Sequence, residues 1–476
     1  MKTRILSTIL ISVLPMMAMA QNEDDAIRYS NIVPQGTAKF ISMSGAMGAI
    51  GGDLTAVTIN PAGTAIFRND YFSLSPMWKS DKVSASYYGT NTNSNISSFK
   101  FSNIGTIATF PFGESGCESI NMGFVYNRTY NFEGGHTVKG TNEKSSMLDK
   151  EFYDFENDNY WEKNLFYESN LFFYDSTDNQ YHYDYDYAAT SRSNQRRTLT
   201  SSGSMGEYAF LIGVNINNAW YLGGSLNIVR INYRQVSKYT EEPDSKGLDL
   251  DDFTVIDEFS TQGGGANLKL GLIGWLNENI RIGAAFHTPT ILNLSDNYGT
   301  RIDASIIKND YSASTSGGID WNLTLPAKFI GSFAYVLPEL GMLDIDCEVV
   351  NYGSTVLDDD NESIGNEYDD LNDHIADIYR TTVNLRVGGE LMLGPAVARA
   401  GFGFYGSPYK SGYENSSANK QVYSVGLGLR SQIASLDLGY SLTTQKETTY
   451  LYGFDDSAAS LKKKTGILAL TLNFRF

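Results

Sequence analysis

Four cations in this chain have the type and spacing to meet an acid: Lys328, Arg386, Arg399 and Arg430. The arginines stand on the polar side of segments whose other side is apolar. Val383, Leu385 and Val387 alternate with Asn384 and Arg386, and Ala398, Ala400, Phe402 and Phe404 alternate with Arg399, Gly401 and Gly403. A guanidinium grips a carboxylate through two parallel N–H groups, so such a face suits the head of an acidic ligand. The same cations would serve equally to hold a wall together by pairing with inward acids such as Glu390 and Asp437.

Catalytic patterns are scarce. The chain has no G-x-S-x-G and no H-E-x-x-H, and its four histidines are His136, His182, His287 and His374. His287-Thr288-Pro289 suits a lumen and leaves a hydrolase as the weakest alternative. His182 lies among Tyr181, Tyr183 and Tyr185, which offers axial ligands to a haem, although tyrosine-rich loops are usually packing. The acidic run 358–377 lacks the fixed spacing of an EF-hand and reads as solvated loop. No motif calls for a metal or a cofactor, and the chain reads as a non-enzyme.

The elements that must position these residues are strands. In 465–476, Gly466, Leu468, Leu470, Leu472, Phe474 and Phe476 alternate with Thr465, Ile467, Ala469, Thr471, Asn473 and Arg475. That is a period of two with one greasy face. The pattern repeats along the chain, and arginine and glycine on the second face suit a lumen better than a packed core. About fourteen such segments can be counted, an even number, joined alternately by short turns and long connections. The long ones are expected near 141–205, 297–317, 358–379, 409–420 and 453–462. The reading is all-β: a transmembrane antiparallel β-barrel over 71–476.

Compartment and composition agree. Lys2 and Arg4, an apolar core and Ala18-Met19-Ala20 make 1–20 a secretory signal peptide. No later apolar run is long enough for a membrane helix. A net charge of −18 disfavours nucleic acid as a partner. Outer-membrane lipid is the expected surrounding, in a Gram-negative type envelope. Cys117 and Cys347 are the two cysteines, and sequence does not decide whether they meet. The connection at 141–205 holds fourteen aromatics between Phe152 and Tyr187, so it is expected to pack.

Residues 21–70 do not alternate. Asp53 is a natural N-cap for a short helix at 54–59, and Asn60 before Pro61 ends it. Small residues from Gly48 to Gly63 permit close backbone contact. On these grounds the segment is either a linker into the first strand or a small hatch inside the barrel.

The run from Ser44 to Trp78, with its small residues, Asp53, the Asn60-Pro61-Ala62-Gly63 turn and a following strand, resembles the N-terminus of FadL-type outer-membrane transporters. Leu323-Thr324-Leu325-Pro326 is similar to a strand opening of that family. The resemblance implies a monomeric channel for long-chain fatty acids or other hydrophobic small molecules, closed by a hatch over 21–70. It implies that the Asn60-Pro61-Ala62 turn contacts a kinked third strand near Asn127 and Arg128, opening a gap in the wall. Ligand would then leave sideways into the membrane. It further implies that the N-terminal segment, with Ile27, Tyr29, Ile32, Val33 and Phe40, is a mobile stopper in the lumen; a frayed tail is the plain alternative. A short, acidic connection at 243–255 departs from the family's capture loop. A water-filled porin remains a further alternative.

Overall fold

The structure, a computed structural model, describes residues 23–114, 116–158, 164–183, 193–244, 250–358 and 365–476. The expected leader at 1–20 lies outside the described residues. Alternating sequence builds one closed sheet of eighteen strand segments, and four of its staves are each broken once into two. Fourteen staves result. They are β1 (Tyr71–Tyr87), β2 (Thr90–Glu114), β3 (Cys117–Asn131 with Gly134–Asn142), β4 (Ser193–Ile216) and β5 (Trp220–Pro243). Next come β6 (Leu250–Trp275), β7 (Ile280–His287 with Thr290–Ile306), β8 (Asn309–Leu325 with Lys328–Leu337) and β9 (Gly341–Asn351 with Val356–Asp358). The last are β10 (Thr381–Leu393), β11 (Ala396–Tyr405), β12 (Lys420–Arg430), β13 (Ala434–Tyr450) and β14 (Ala458–Arg475). Closure is made by β14 against β1, from Tyr71↔Arg475 to Ser86↔Ser460.

The greasy face points out. On β14, Leu468, Leu470, Leu472 and Phe474 are exposed while Ile467, Ala469, Thr471 and Asn473 are buried. β12 and β13 repeat this with Tyr423, Val425, Leu427 and Leu429, and with Leu436, Leu438 and Tyr440. An apolar belt around a closed sheet is solvated by a bilayer, and closure pairs the first stave with the last. The protein is an integral outer-membrane β-barrel. Among the described residues, no helix is long and apolar enough to cross a membrane. Both cysteines are free thiols, and Cys347 is exposed on the outside of β9.

Two connections differ from expectation, and the long one after β3 packs as expected. The stretch 297–317 is almost entirely strand: β7 runs up to Ile306 and β8 starts at Asn309, so only Ile307 and Lys308 turn. Polar strand residues above the belt broke the hydrophobic alternation there without breaking the ladder. The acidic run is a loop only in part, because Gly365–Ile378 forms a helix that turns Leu371, Ile375 and Ile378 inward. In the long connection after β3, the helices Met147–Asp158 and Leu165–Glu168 and the hairpin Phe172–Asp175/Gln180–Tyr183 pack as a cap. Its aromatics, among them Phe155, Phe166 and Phe172, join Tyr87, Tyr239 and Phe253 of the upper barrel in one core. The aromatics at 184–192 lie outside the described residues.

Candidate functional site

The lower lumen is filled by residues 36–67. Helix α2 (Ala38–Ser42), which follows α1 (Glu23–Arg28), is capped by Thr37, whose hydroxyl accepts the Phe40 N–H and donates to Asp53 Oδ2 at 2.6 Å. Asp53 Oδ1 in turn accepts the N–H groups of Thr55 and Ala56, at the start of α3 (Ala56–Ile59). One carboxylate thus ties both hatch helices together. Asn60 ends α3 and caps the 3-10 turn Pro61–Ile66 by accepting the Ala62 N–H at 3.1 Å.

The wall receives this segment on glycine. A methyl group at Gly283 would fall 2.6 Å from Gly48 O, at Gly388 2.7 Å from Met43 O and at Gly213 2.6 Å from Ala65 N. At Gly223, Gly271 and Gly439 it would overlap Pro61, Asn60 and Ala38. Polar wall side chains satisfy the hatch backbone. Asp346 accepts the Met47 and Gly48 N–H groups at 3.1–3.2 Å, and Asp344 that of Ala49 at 3.3 Å. Asn121, Lys269, Arg281 and His287 donate to hatch carbonyls. Buried backbone groups need partners, and the wall supplies them where the hatch's own turns do not.

The 3-10 turn opened by Asn60-Pro61-Ala62-Gly63 meets β3 six residues before Asn127, where Asn121 Nδ2 donates to Thr64 O at 2.8 Å. It also lies on β5 and β6, where Asn60 Nδ2 donates to Leu272 O at 3.2 Å and to Gly48 O at 2.7 Å. Asn127 does touch the hatch, but earlier in the chain: its Nδ2 donates to Gln35 O at 3.2 Å, and Thr55 Oγ1 donates to its Oδ1. Local sequence fixes the turn's shape; which stave it reaches depends on the curvature of the whole barrel.

At Asn103↔Asn127 the ladder between β2 and β3 stops. Pairing of β3 with β4 shifts between Arg128 and Tyr130, and Gly134–Asn142 then continues along β4 alone. Above this point the ladder that β2 keeps among the described residues is with β1. Side chains bridge the seam instead: Asn131 Nδ2 to Ser98 Oγ at 3.0 Å, and Lys79 Nζ to the carbonyls of Asn131 and Glu133 at 2.9 and 2.6 Å. Arg128 is half-exposed at the start of the seam rather than buried in the lumen, and its Nε donates to Phe101 O at 3.0 Å. That carbonyl loses its ladder partner, which gives the guanidinium its place.

Three of the four candidate cations are paired. Arg399 bonds Glu390 and Asp437 at 2.7 Å each, and Arg430 bonds the other Glu390 oxygen at 2.7 Å. Arg386 is fully buried, 3.1 Å from Glu348 and 3.6 Å from Asp346. These are wall braces, and their inward acids answer their charge. Lys328 is different. It is half-buried with no ion pair among the described residues, and it lines a cavity of about 100 Å³ between the hatch and the N-terminal segment.

That cavity crosses the lumen from Asn127 and Thr129 on β3 to Thr288 and Pro326 on β7 and β8. Tyr29 and Ile32 close it from above and Thr58 and Ile59 from below. Tyr29 is buried edge-on to Phe132 and Tyr233, with centroids 6.0 and 6.5 Å away. Arg28 stacks over Tyr233 at 4.8 Å. Ile27 and Ile32 pack on the same cluster, and Val33 is half-buried beside them. Phe40 does not belong here. It sits one layer down in the hatch, with Met43 and Met47.

The residues weighed for other chemistry are occupied. His287 Nε2 lies 2.7 Å from Ile59 O, a contact that needs the ring to donate. Tyr181 and Tyr183 pack on Phe155 and Phe152. Asp175, Asp178 and His182 lie close enough at the exposed hairpin end to share a cation. Asp175 and Asp178 accept the Thr177 and Gln180 N–H groups as turn residues do, and the Thr177 bond holds the Asp175 carboxyl below its usual range.

No protein-family model and no curated relative matches the sequence. Solved structures do match. A Pseudomonas aeruginosa FadL homologue is 12% identical with a TM-score of 0.57, covering 94% of this chain and 99% of its own. The Pseudomonas putida toluene transporter TodX is 11% identical with a TM-score of 0.54, covering 94% and 99%. The Ralstonia pickettii toluene transporter TbuX is 13% identical with a TM-score of 0.52, covering 94% and 99%. The chain has the FadL-type fold, a fourteen-stave outer-membrane barrel with its N-terminal segment folded into the lumen.

Proposed function

We propose that this protein is a monomeric outer-membrane channel for the passive uptake of hydrophobic small molecules, long-chain fatty acids among them. The observation that carries the reading is the cavity between hatch and N-terminal segment. A cavity of about 150 Å³ is what holds a benzene ring. The cavity here is smaller, so a ligand enters only by displacing Tyr29 and Ile32, which makes that segment a stopper. A chain buried against the apolar part of the lining, Tyr29, Ile32, Met205, Val229 and Leu325, gains about 0.8 kcal/mol per CH₂. Sideways release through the seam above Asn103↔Asn127 spares the chain from re-entering water. Lys328 is the cation free to meet a carboxylate head. The names of the structural relatives, two of them toluene transporters, support an apolar cargo.

The test pairs conductance with uptake. Cells producing the protein should accumulate labelled oleate or toluene faster than cells lacking it, while the purified protein in a planar bilayer carries almost no steady current. Large steady currents would instead make it a porin.

A further inference from the structure

We infer that the barrel wall has a second lateral port, between β7 and β8, through which the transported apolar ligand passes from the lumen to the membrane. The inference rests on the uptake reading above and adds an exit on the side of the lumen away from β3. Its basis is a coincidence of three features in one piece of wall.

The first is a gap in bonding. β7 and β8 pair down to Thr290↔Leu325 and resume at His287↔Lys328. Unbroken register sets Pro289 opposite Pro326. Neither proline has an N–H to give, so roughly 10 Å of the two staves run side by side without a rung. β7 stays tied to β6 here, because Thr288 N donates to Leu268 O at 2.9 Å. Any splaying is therefore confined to the β7–β8 side.

The second feature is the lumen cavity, whose wall at this end is His287, Thr288, Pro326 and Lys328. The third is a groove of about 530 Å³ on the opposite, lipid-facing side of the same staves. Ala284 and Gly331, which are direct register partners, form its floor, and a methyl group at Gly331 would meet nothing within 4 Å. Phe286 and Phe329 flank it with ring centroids 4.8 Å apart, and Leu270 and Val349 close its sides. The wall between cavity and groove is one sheet thick. Continuity across the unbonded stretch argues for the ligand in transit as the occupant of the groove, rather than a resident bilayer chain. Lys328, inside, would hold a polar head while the apolar end leaves first.

The test is a pair of cross-links in a chain carrying Cys117→Ser and Cys347→Ser. One joins Thr288→Cys to Ala327→Cys across the proline break; the other joins Ser98→Cys to Asn131→Cys across the β2–β3 seam. Uptake of labelled oleate and of labelled toluene is followed with the bond oxidised and then reduced. The port predicts that oxidation of the 288/327 pair slows uptake about fivefold or more and that reduction restores it. Gly331→Phe, which fills the groove and alters no ladder bond, should slow uptake about threefold in a barrel that still migrates as folded. It decides the matter if the cysteine pair does not close. Unchanged uptake in both overturns the port, and the groove is then ordinary lipid surface. If only the 98/131 bond blocks uptake, the seam remains the exit and the functional proposal stands. If neither cross-link nor Gly331→Phe matters, lateral release itself is wrong.

Discussion

Gly271 on β6 sits so close to Asn60 of the hatch that a methyl group added to it would overlap Asn60 Oδ1. The turn is thus seated on bare backbone, and its position is set by the absence of a side chain. Gly271→Val should push the turn off β6 and break the bond from Asn60 to Leu272. A steady current should appear in planar bilayers where the parent chain carries almost none. No current from a folded Gly271→Val barrel would mean that the hatch does not seal the lumen.

Asp53 joins the two hatch helices through Thr37 and through the N–H groups of Thr55 and Ala56. Removing a capping carboxylate costs about 1–2 kcal/mol. Asp53→Ala should therefore raise amide exchange across residues 37–59 roughly tenfold while leaving the barrel strands protected. Exchange that rises equally in β10–β14 would show that hatch and wall unfold as one unit.

Lys328 is predicted to recognise a charged head. Lys328→Met should weaken binding of oleate about tenfold or more, Lys328→Arg should restore most of it, and toluene should be indifferent to both. The comparison of the two ligands separates a lost ion pair from a deformed cavity.

The braced arginines behave otherwise. Arg399→Met leaves Glu390 and Asp437 without their shared partner in a buried layer, and breaking such a set costs roughly 3–5 kcal/mol. Barrel unfolding in denaturant should move accordingly, with ligand affinity unchanged. A variant that keeps its stability and loses oleate would return Arg399 to the ligand site.

These outcomes mark where sequence reasoning reached and where it stopped. Strand alternation is local, so Leu468, Tyr423 and Leu438 could be assigned to the outside and Arg399 and Gly439 to the lumen from the pattern alone. The break within β3 left a trace in Arg128, a cation that follows Ile120, Met122, Phe124 and Tyr126 on one alternating face. The partners were not legible. Whether Arg386 meets Glu348 or a ligand depends on the register of β9 against β10, and the seat of Asn60 depends on barrel curvature. Lumen glycines were visible, but that Gly223, Gly271, Gly283, Gly388 and Gly439 together form the seat of the hatch needed the hatch in place. The paired prolines at 289 and 326 had a signal too, since each interrupts an alternating segment. Only the register sets them opposite each other.

The glycine seat also constrains assembly. Helix α2 rests against β12, β13 and β14, the last staves to be made, while the turn after α3 rests against β4, β5 and β6. Four residues separate that turn from β1, a tether of at most about 14 Å. A segment so tightly surrounded and so shortly leashed has no route into a finished cylinder. It must be in position before β14 zips to β1, so the N-terminus acts as the former around which the barrel is wrapped. Protection of residues 38–66 from protease should accordingly precede, during membrane insertion, the heat-resistant migration that marks closure.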